Sequence, residues 1–155
     1  KIYIKKVTKK TKRMKDKNTM KIRFLSLSRN ETFARTVIAA FCLPLDPSLS
    51  ELNEIKTAVS EAVTNAVVHG YPDCAGEIVM SAETQDNKLH IEISDKGVGI
   101  ENLKEAMEPF YTTKPDEERS GMGFTVIQTF MEDVKIISEV NKGTTVIVNK
   151  TIACK

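Results

Sequence analysis

Tryptophan is absent from this sequence, and nothing in it approaches the ~18 consecutive apolar residues that a membrane-spanning helix requires. No hydrophobic stretch near Lys1 resembles a secretory leader. Cysteine is scarce and odd in number. Cys42, Cys74 and Cys154 are widely spaced, so neither a disulfide framework nor a zinc cluster is expected, and a reducing cytoplasm is. The two histidines, His69 and His90, fall on different elements with no cysteine spacing to join them to a metal. There is no internal repeat and no low-complexity core segment. What remains is an ordinary globular composition, 41% hydrophobic and 28% charged, in 155 residues. That length suits one domain with a real core and hardly two.

The net charge of +2 conceals two unlike parts. Residues 1–21 carry ten Lys/Arg against a single acid, Asp16, whereas the remainder is acidic. The basic arm has no aromatic beyond Tyr3 and no amphipathic period, and Met20 stands just before the first convincing strand. Residues 1–19 are therefore expected to be a disordered extension or upstream read-through, and the acidic remainder argues against nucleic acid as its partner.

From Met20 onward the pattern alternates hairpins with helices. Lys21–Ser28 reads as an edge strand, and Ser28-x-x-Glu31 matches a capping box opening a helix with Phe33, Ala34, Val37, Ile38 and Phe41 on one face. Ser48-x-x-Glu51 opens a second, longer helix, whose stripe Leu52, Ile55, Val59, Ala62, Val63, Ala66 has the 3–4 spacing of a buried face. Gly70 should end it in the left-handed conformation. Glu77–Glu83 and Lys88–Asp95 read as a hairpin, Glu101–Glu108 as a short helix, and Pro109–Ser120 as a polar loop. Gly121-Met122-Gly123 leads into a further helix, and Val134–Glu139 with Thr144–Val148 closes the chain as a hairpin. Helices set between hairpins predict an α/β two-layer sandwich, helices on one face of a mixed, mainly antiparallel sheet, rather than a doubly wound parallel fold.

On the second helix Glu61, Asn65 and His69 stand four apart, so they stack on a face beside the core stripe. Downstream, Asp95-x-Gly97-x-Gly99 follows a strand, where glycine lets backbone approach a ligand closely. Gly121-x-Gly123 opens a helix whose free N–H groups suit phosphate. Neither pair is a Walker loop or a complete G-x-G-x-x-G. Each alone is a turn signal; their order after a Glu-x-x-x-Asn helix is far more specific.

That order, Glu61-x-x-x-Asn65, Asp95-x-Gly97-x-Gly99, Gly121-x-Gly123-Phe124, Gly143-Thr144-Thr145, resembles the motif set of the GHKL ATPase/kinase superfamily. The wording SEAVTNAVVHGY, Phe110-Tyr-Thr-Thr-Lys-Pro and Glu118-Arg-Ser-Gly-Met-Gly-Phe is similar to the anti-sigma factor serine kinases of endospore-forming bacteria. The resemblance spans roughly residues 20–150 and leaves 151–155 as a tail. It implies an ATP-binding fold in which Asp95 accepts from the adenine amino group, Gly97 and Gly99 admit the base, and Thr144 supports it. It also implies that Asn65 gives its amide oxygen to Mg²⁺, and that Thr112, Thr113 and Lys114 form a lid over phosphates facing Gly121 and Gly123. Glu61 would be the base for a serine hydroxyl, and Arg119 would neutralise γ-phosphate charge. The implied partners are a sigma factor, an anti-anti-sigma protein phosphorylated on serine, and a second copy of the chain, with Arg35 on the first helix as a partner contact. Two variants of output stay open: a stress-response-type anti-sigma kinase, and a nucleotide-sensing module without phosphotransfer.

Overall fold

The computed structural model describes residues 17–109 and 122–153. Thr112, Thr113, Lys114, Arg119 and Gly121 lie outside the described residues. Five strands form one sheet: β1 (Lys17–Leu25), β2 (Glu77–Gln85), β3 (Lys88–Asp95), β4 (Glu132–Glu139) and β5 (Gly143–Thr151), in the order β1-β2-β3-β5-β4. Among the described residues every pairing is antiparallel, so the parallel pair expected of a mixed sheet does not occur. The helices are α1 (Arg29–Cys42), α2 (Leu49–Asn65), α3 (Leu103–Ala106) and α4 (Gly123–Phe130). The sheet keeps its alternate residues Ile78, Met80, Ala82, Leu89, Ile91 and Ile93 for the core on the helical side. His90 and Glu92, from the other phase of the alternation, stay half-exposed and bond to each other at 3.1 Å.

The long helix α2 forms as its pattern requires. Ser48 Oγ accepts from the Glu51 N–H at 3.2 Å, and the Glu51 carboxylate accepts from the Ser48 N–H at 2.7 Å, closing the capping box. Ile55, Val59, Ala62, Val63 and Ala66 are buried, and the helix packs against α1 on one side and α4 on the other. Each fully buried aliphatic side chain contributes about 2 kcal/mol of transfer free energy, so this stripe orders the whole layer.

The structure corrects the sequence reading in several places. Ser28 is already helical in its backbone and makes no side-chain cap, so the first capping box is not formed. Glu31 turns instead to the Ser60 hydroxyl of α2 and to the Arg35 guanidinium, 3.5 Å away. Phe33 is 46% exposed and leans edge-on against Phe24; Cys42 takes its place in the core beside Ala34 and Ile38. β1 begins at Lys17, inside the segment assigned to the extension, because β2 offers it nine paired positions and Glu83 holds Lys17 at 2.9 Å. At the other end Ile152 is fully buried, Asn87 Nδ2 donates to its carbonyl, and its N–H donates to the Asn87 carbonyl. The fold thus runs past the expected boundary at Lys150.

Gly70 also differs from expectation, since its φ is not positive. After Asn65 the helix widens into a π-helical turn, Ala66–Gly70, closed by the Tyr71 N–H donating to the Ala66 carbonyl at 3.2 Å. Such widened turns are rare and concentrate at functional sites.

Candidate nucleotide site

The widened turn lies at the centre of the site. It carries Gly70 against the end of β3, where a Cβ on Gly70 would stand 3.1 Å from the Asp95 carboxyl carbon. A Cβ on Gly97 would fall 1.9 Å from the Gly70 carbonyl oxygen, and that same oxygen accepts from the Val98 N–H at 2.9 Å. Helix end and strand end are therefore in direct backbone contact. Tyr71 braces them from outside: its hydroxyl donates to the Glu77 carbonyl at 2.7 Å and accepts from the Lys96 N–H at 2.8 Å.

Between α2, the sheet and the segment that follows β3, a cavity of about 670 Å³ opens, a size that suits a small-molecule ligand. Ala62, Ala66, Ile93, Ile100 and Val146 give it apolar walls, and Asp95 and Thr144 give it a polar end. Asp95 is 8% exposed. Burial pushes its carboxyl above the usual carboxylate range, against the opposing pull of the Gly97 and Thr144 N–H groups. Both of those bonds, 2.9 Å and 3.3 Å, come to Oδ1, which leaves Oδ2 as the acceptor for a ligand. Gly99 has φ +71°, and a Cβ there would meet the Glu139 carbonyl oxygen at 2.2 Å, so only glycine turns the wall at that point.

Glu61 and Asn65 mark another part of the site. A Cβ on Gly123, at the start of α4, would lie 3.1 Å from Asn65 Oδ1 and 3.2 Å from Glu61 Oε2. A carboxylate, a carboxamide and a helix N-terminus thus converge there, a set suited to a hard cation and to phosphate oxygens.

Of the residues singled out from sequence, Asn65, Asp95, Gly99, Gly123 and Thr144 line the cavity. Gly97 and Glu61 touch it through their neighbours Asp95 and Gly123. Arg35 is not among the lining residues; it sits half-buried on α1 beside Glu31. Sequence reasoning missed the apolar walls, the role of Gly70, and Asn102, which lines the cavity and caps α3 by accepting from the Glu105 N–H at 3.3 Å. The alternation of β3 would have found Ile93. Nothing local signals Ser138, whose hydroxyl accepts from the Ile100 N–H and lies 2.8 Å from the Thr144 hydroxyl.

Known proteins point the same way. The histidine kinase-like ATPase domain family matches residues 26–150. The anti-sigma F factor of Clostridium acetobutylicum is 52% identical over 88% of this chain and 95% of its own length. That of a Geobacillus strain is 54% identical over 88% of this chain and 94% of its own. Among solved structures, the RsbU and RsbW domains of Rv1364c from Mycobacterium tuberculosis superpose with a TM-score of 0.64 at 18% identity, over 89% of this chain and 33% of that one. The last likeness is one of fold. Family model and sequence identity agree: this chain belongs to the histidine kinase-like ATPase family and, within it, to the anti-sigma F factors.

Proposed function

We propose that this chain holds a sigma-F-type sporulation sigma factor inactive in the cytoplasm and uses Mg-ATP to phosphorylate a serine on the anti-anti-sigma protein that would release it. One observation carries the reading: the Glu61 and Asn65 side chains converge on Gly123, beside a cavity whose polar end is the acceptor Asp95. The donor set fits the nucleotide. Asp95 would take an amino-purine edge, Ile93, Ile100 and Val146 would face its ring, and the start of α4 would hold phosphates.

Bound ATP would supply the phosphoryl group, and Mg²⁺ would neutralise charge on it. Asn65 would hold the ion through its amide oxygen, which suffices because Mg²⁺ keeps several waters. Glu61, one turn earlier, would orient the serine hydroxyl and take its proton. A carboxylate there distinguishes transfer to an alcohol, which needs a base, from transfer to an imidazole, which does not. By resemblance, Arg119 would neutralise the transferring group and Thr112, Thr113 and Lys114 would close over it. Arg35, held by Glu31, is the proposed partner contact, in a chain that acts as a homodimer.

Labelled ATP with candidate partners tests the reading. Label on a partner serine supports the kinase; free phosphate alone indicates an ATPase, and binding without either product would remove the catalytic assignment of Glu61.

A further inference from the structure

We propose that Ser138 is a specificity-determining positioning residue, which fixes the Thr144 hydroxyl as a hydrogen-bond acceptor toward the cavity and so selects a 6-amino over a 6-oxo purine. The inference rests on the nucleotide reading of the cavity and deepens it.

The protons around Ser138 can be counted. Ser138 Oγ has three neighbours: the Ile100 N–H at 2.8 Å, the Thr144 hydroxyl at 2.8 Å and the Gly143 carbonyl at 3.2 Å. A hydroxyl has one proton to donate and two lone pairs to offer. The Ile100 N–H can only donate, so it occupies one lone pair. The Gly143 carbonyl can only accept, so it takes the single Ser138 proton. For the third contact to be a hydrogen bond, Thr144 must donate to the remaining lone pair. All three bonds are then made, Ser138 is saturated, and the proton of Thr144 is committed away from the cavity. What Thr144 presents to a ligand is lone pairs.

That polarity matters because of what stands beside it. The Thr144 N–H is bonded to Asp95 Oδ1 at 3.3 Å, and both residues line the cavity. The polar end therefore offers two acceptors side by side, Asp95 Oδ2 and Thr144 Oγ1. An exocyclic amino group has two hydrogens to give them. A 6-oxo group brings further lone pairs to the same place, and the mismatch leaves buried polar atoms unpaired, the situation in which a site discriminates most. Without Ser138 the Thr144 hydroxyl can rotate and donate, and it then accepts either edge. Ser138 touches no ligand in this scheme; it acts through Thr144 and, by the Ile100 bond, steadies the cavity wall.

The test measures equilibrium binding of ATP and of inosine triphosphate to the full chain. Wild type should prefer ATP, and Ser138→Ala should lower the ATP-over-ITP preference about tenfold, mainly by improving ITP. Ser138→Thr, which keeps the hydroxyl, should restore the preference and guards against a folding artefact. Thr144→Val should also lower the preference, and adding Ser138→Ala to it should change nothing more. A purely structural Ser138 would weaken both nucleotides equally and leave the ratio intact; that result, in a folded Ser138→Ala protein, overturns the proposal. If wild type binds neither nucleotide, the nucleotide reading itself falls and takes the proposal with it.

Discussion

Asp95 keeps a carboxylate in a place that disfavours charge, and the ligand contact proposed for it needs the ionised form. Its folded pKa is raised by burial, so the native state binds this proton more tightly than the unfolded chain does. Acidification through that raised value therefore does not unfold the protein by way of Asp95; it converts an acceptor into a donor. Nucleotide affinity should accordingly begin to fall at a higher pH than an ordinary carboxylate would dictate, while the fold persists, as titration calorimetry across pH would report. Asp95→Asn should flatten that pH dependence and lower ATP affinity by about tenfold to a hundredfold, since one buried acceptor is replaced by a group that can donate. An unchanged affinity would remove Asp95 from the adenine assignment. Glu61→Gln belongs to the other part of the site. It should leave ATP affinity within about twofold and abolish transfer to the partner serine, because it keeps shape and removes only the base. Undiminished transfer would exclude Glu61 as that base.

The elements repeat this division between what is local and what is not. The Ser48–Glu51 box at the start of α2 draws the Glu51 pKa down to about 2, through the N–H groups of Ala153 and Ser48 and the Ser48 hydroxyl. A carboxylate with a lowered folded pKa stabilises the protein above its ordinary value of about 4.5 and loses that contribution as pH falls toward 2. Glu51→Gln should therefore blunt the acid limb of the stability profile, read by urea unfolding at successive pH values. Ser48→Ala should lower stability by about 1 kcal/mol. This box was legible because its partners are three residues apart. So were the β3 limits, set by strict alternation, and the α2 stripe, set by helical period. The box at Ser28 was equally plain in sequence and does not form, because Ser60, 29 residues away, captures Glu31. The widened turn at Ala66–Gly70 was not legible locally either: it lies against Asp95 and Gly97, more than twenty residues away in sequence. Local grammar located Asn65 and Asp95 among the cavity's polar residues; long-range contacts placed its walls and its supports.

At the scale of the whole molecule, the two chain segments assigned to an extension and a tail prove partly structural. Ile152 is completely enclosed, and Ala153 donates to Glu51 Oε1 at 2.8 Å, so the last described residues hold the start of α2. Lys150, its side chain only 11% exposed, ties β5 to Glu54 of α2 at 2.7 Å and to the Phe130 carbonyl at the end of α4 at 2.8 Å. Ile152→Ala should lower stability by about 2–5 kcal/mol, seen as a reduced midpoint in denaturant with ATP affinity per folded molecule unchanged. A variant that lost affinity while keeping its midpoint would place the tail in the site itself.

The bond from the Val98 N–H to the Gly70 carbonyl gives the site a clock as well as a shape. That amide is released to solvent when the end of the π-helical turn parts from the end of β3, so its hydrogen-exchange rate reports how often this end of the cavity comes apart. Gly70 and Gly97 touch without a side chain between them, so the Val98 bond closes only while the two backbones lie in contact. ATP, by occupying the space those ends enclose, should slow the exchange of Val98 more than that of amides on β1. The lifetime of the bound nucleotide would then be set by a backbone event, and not by the departure of any one side chain.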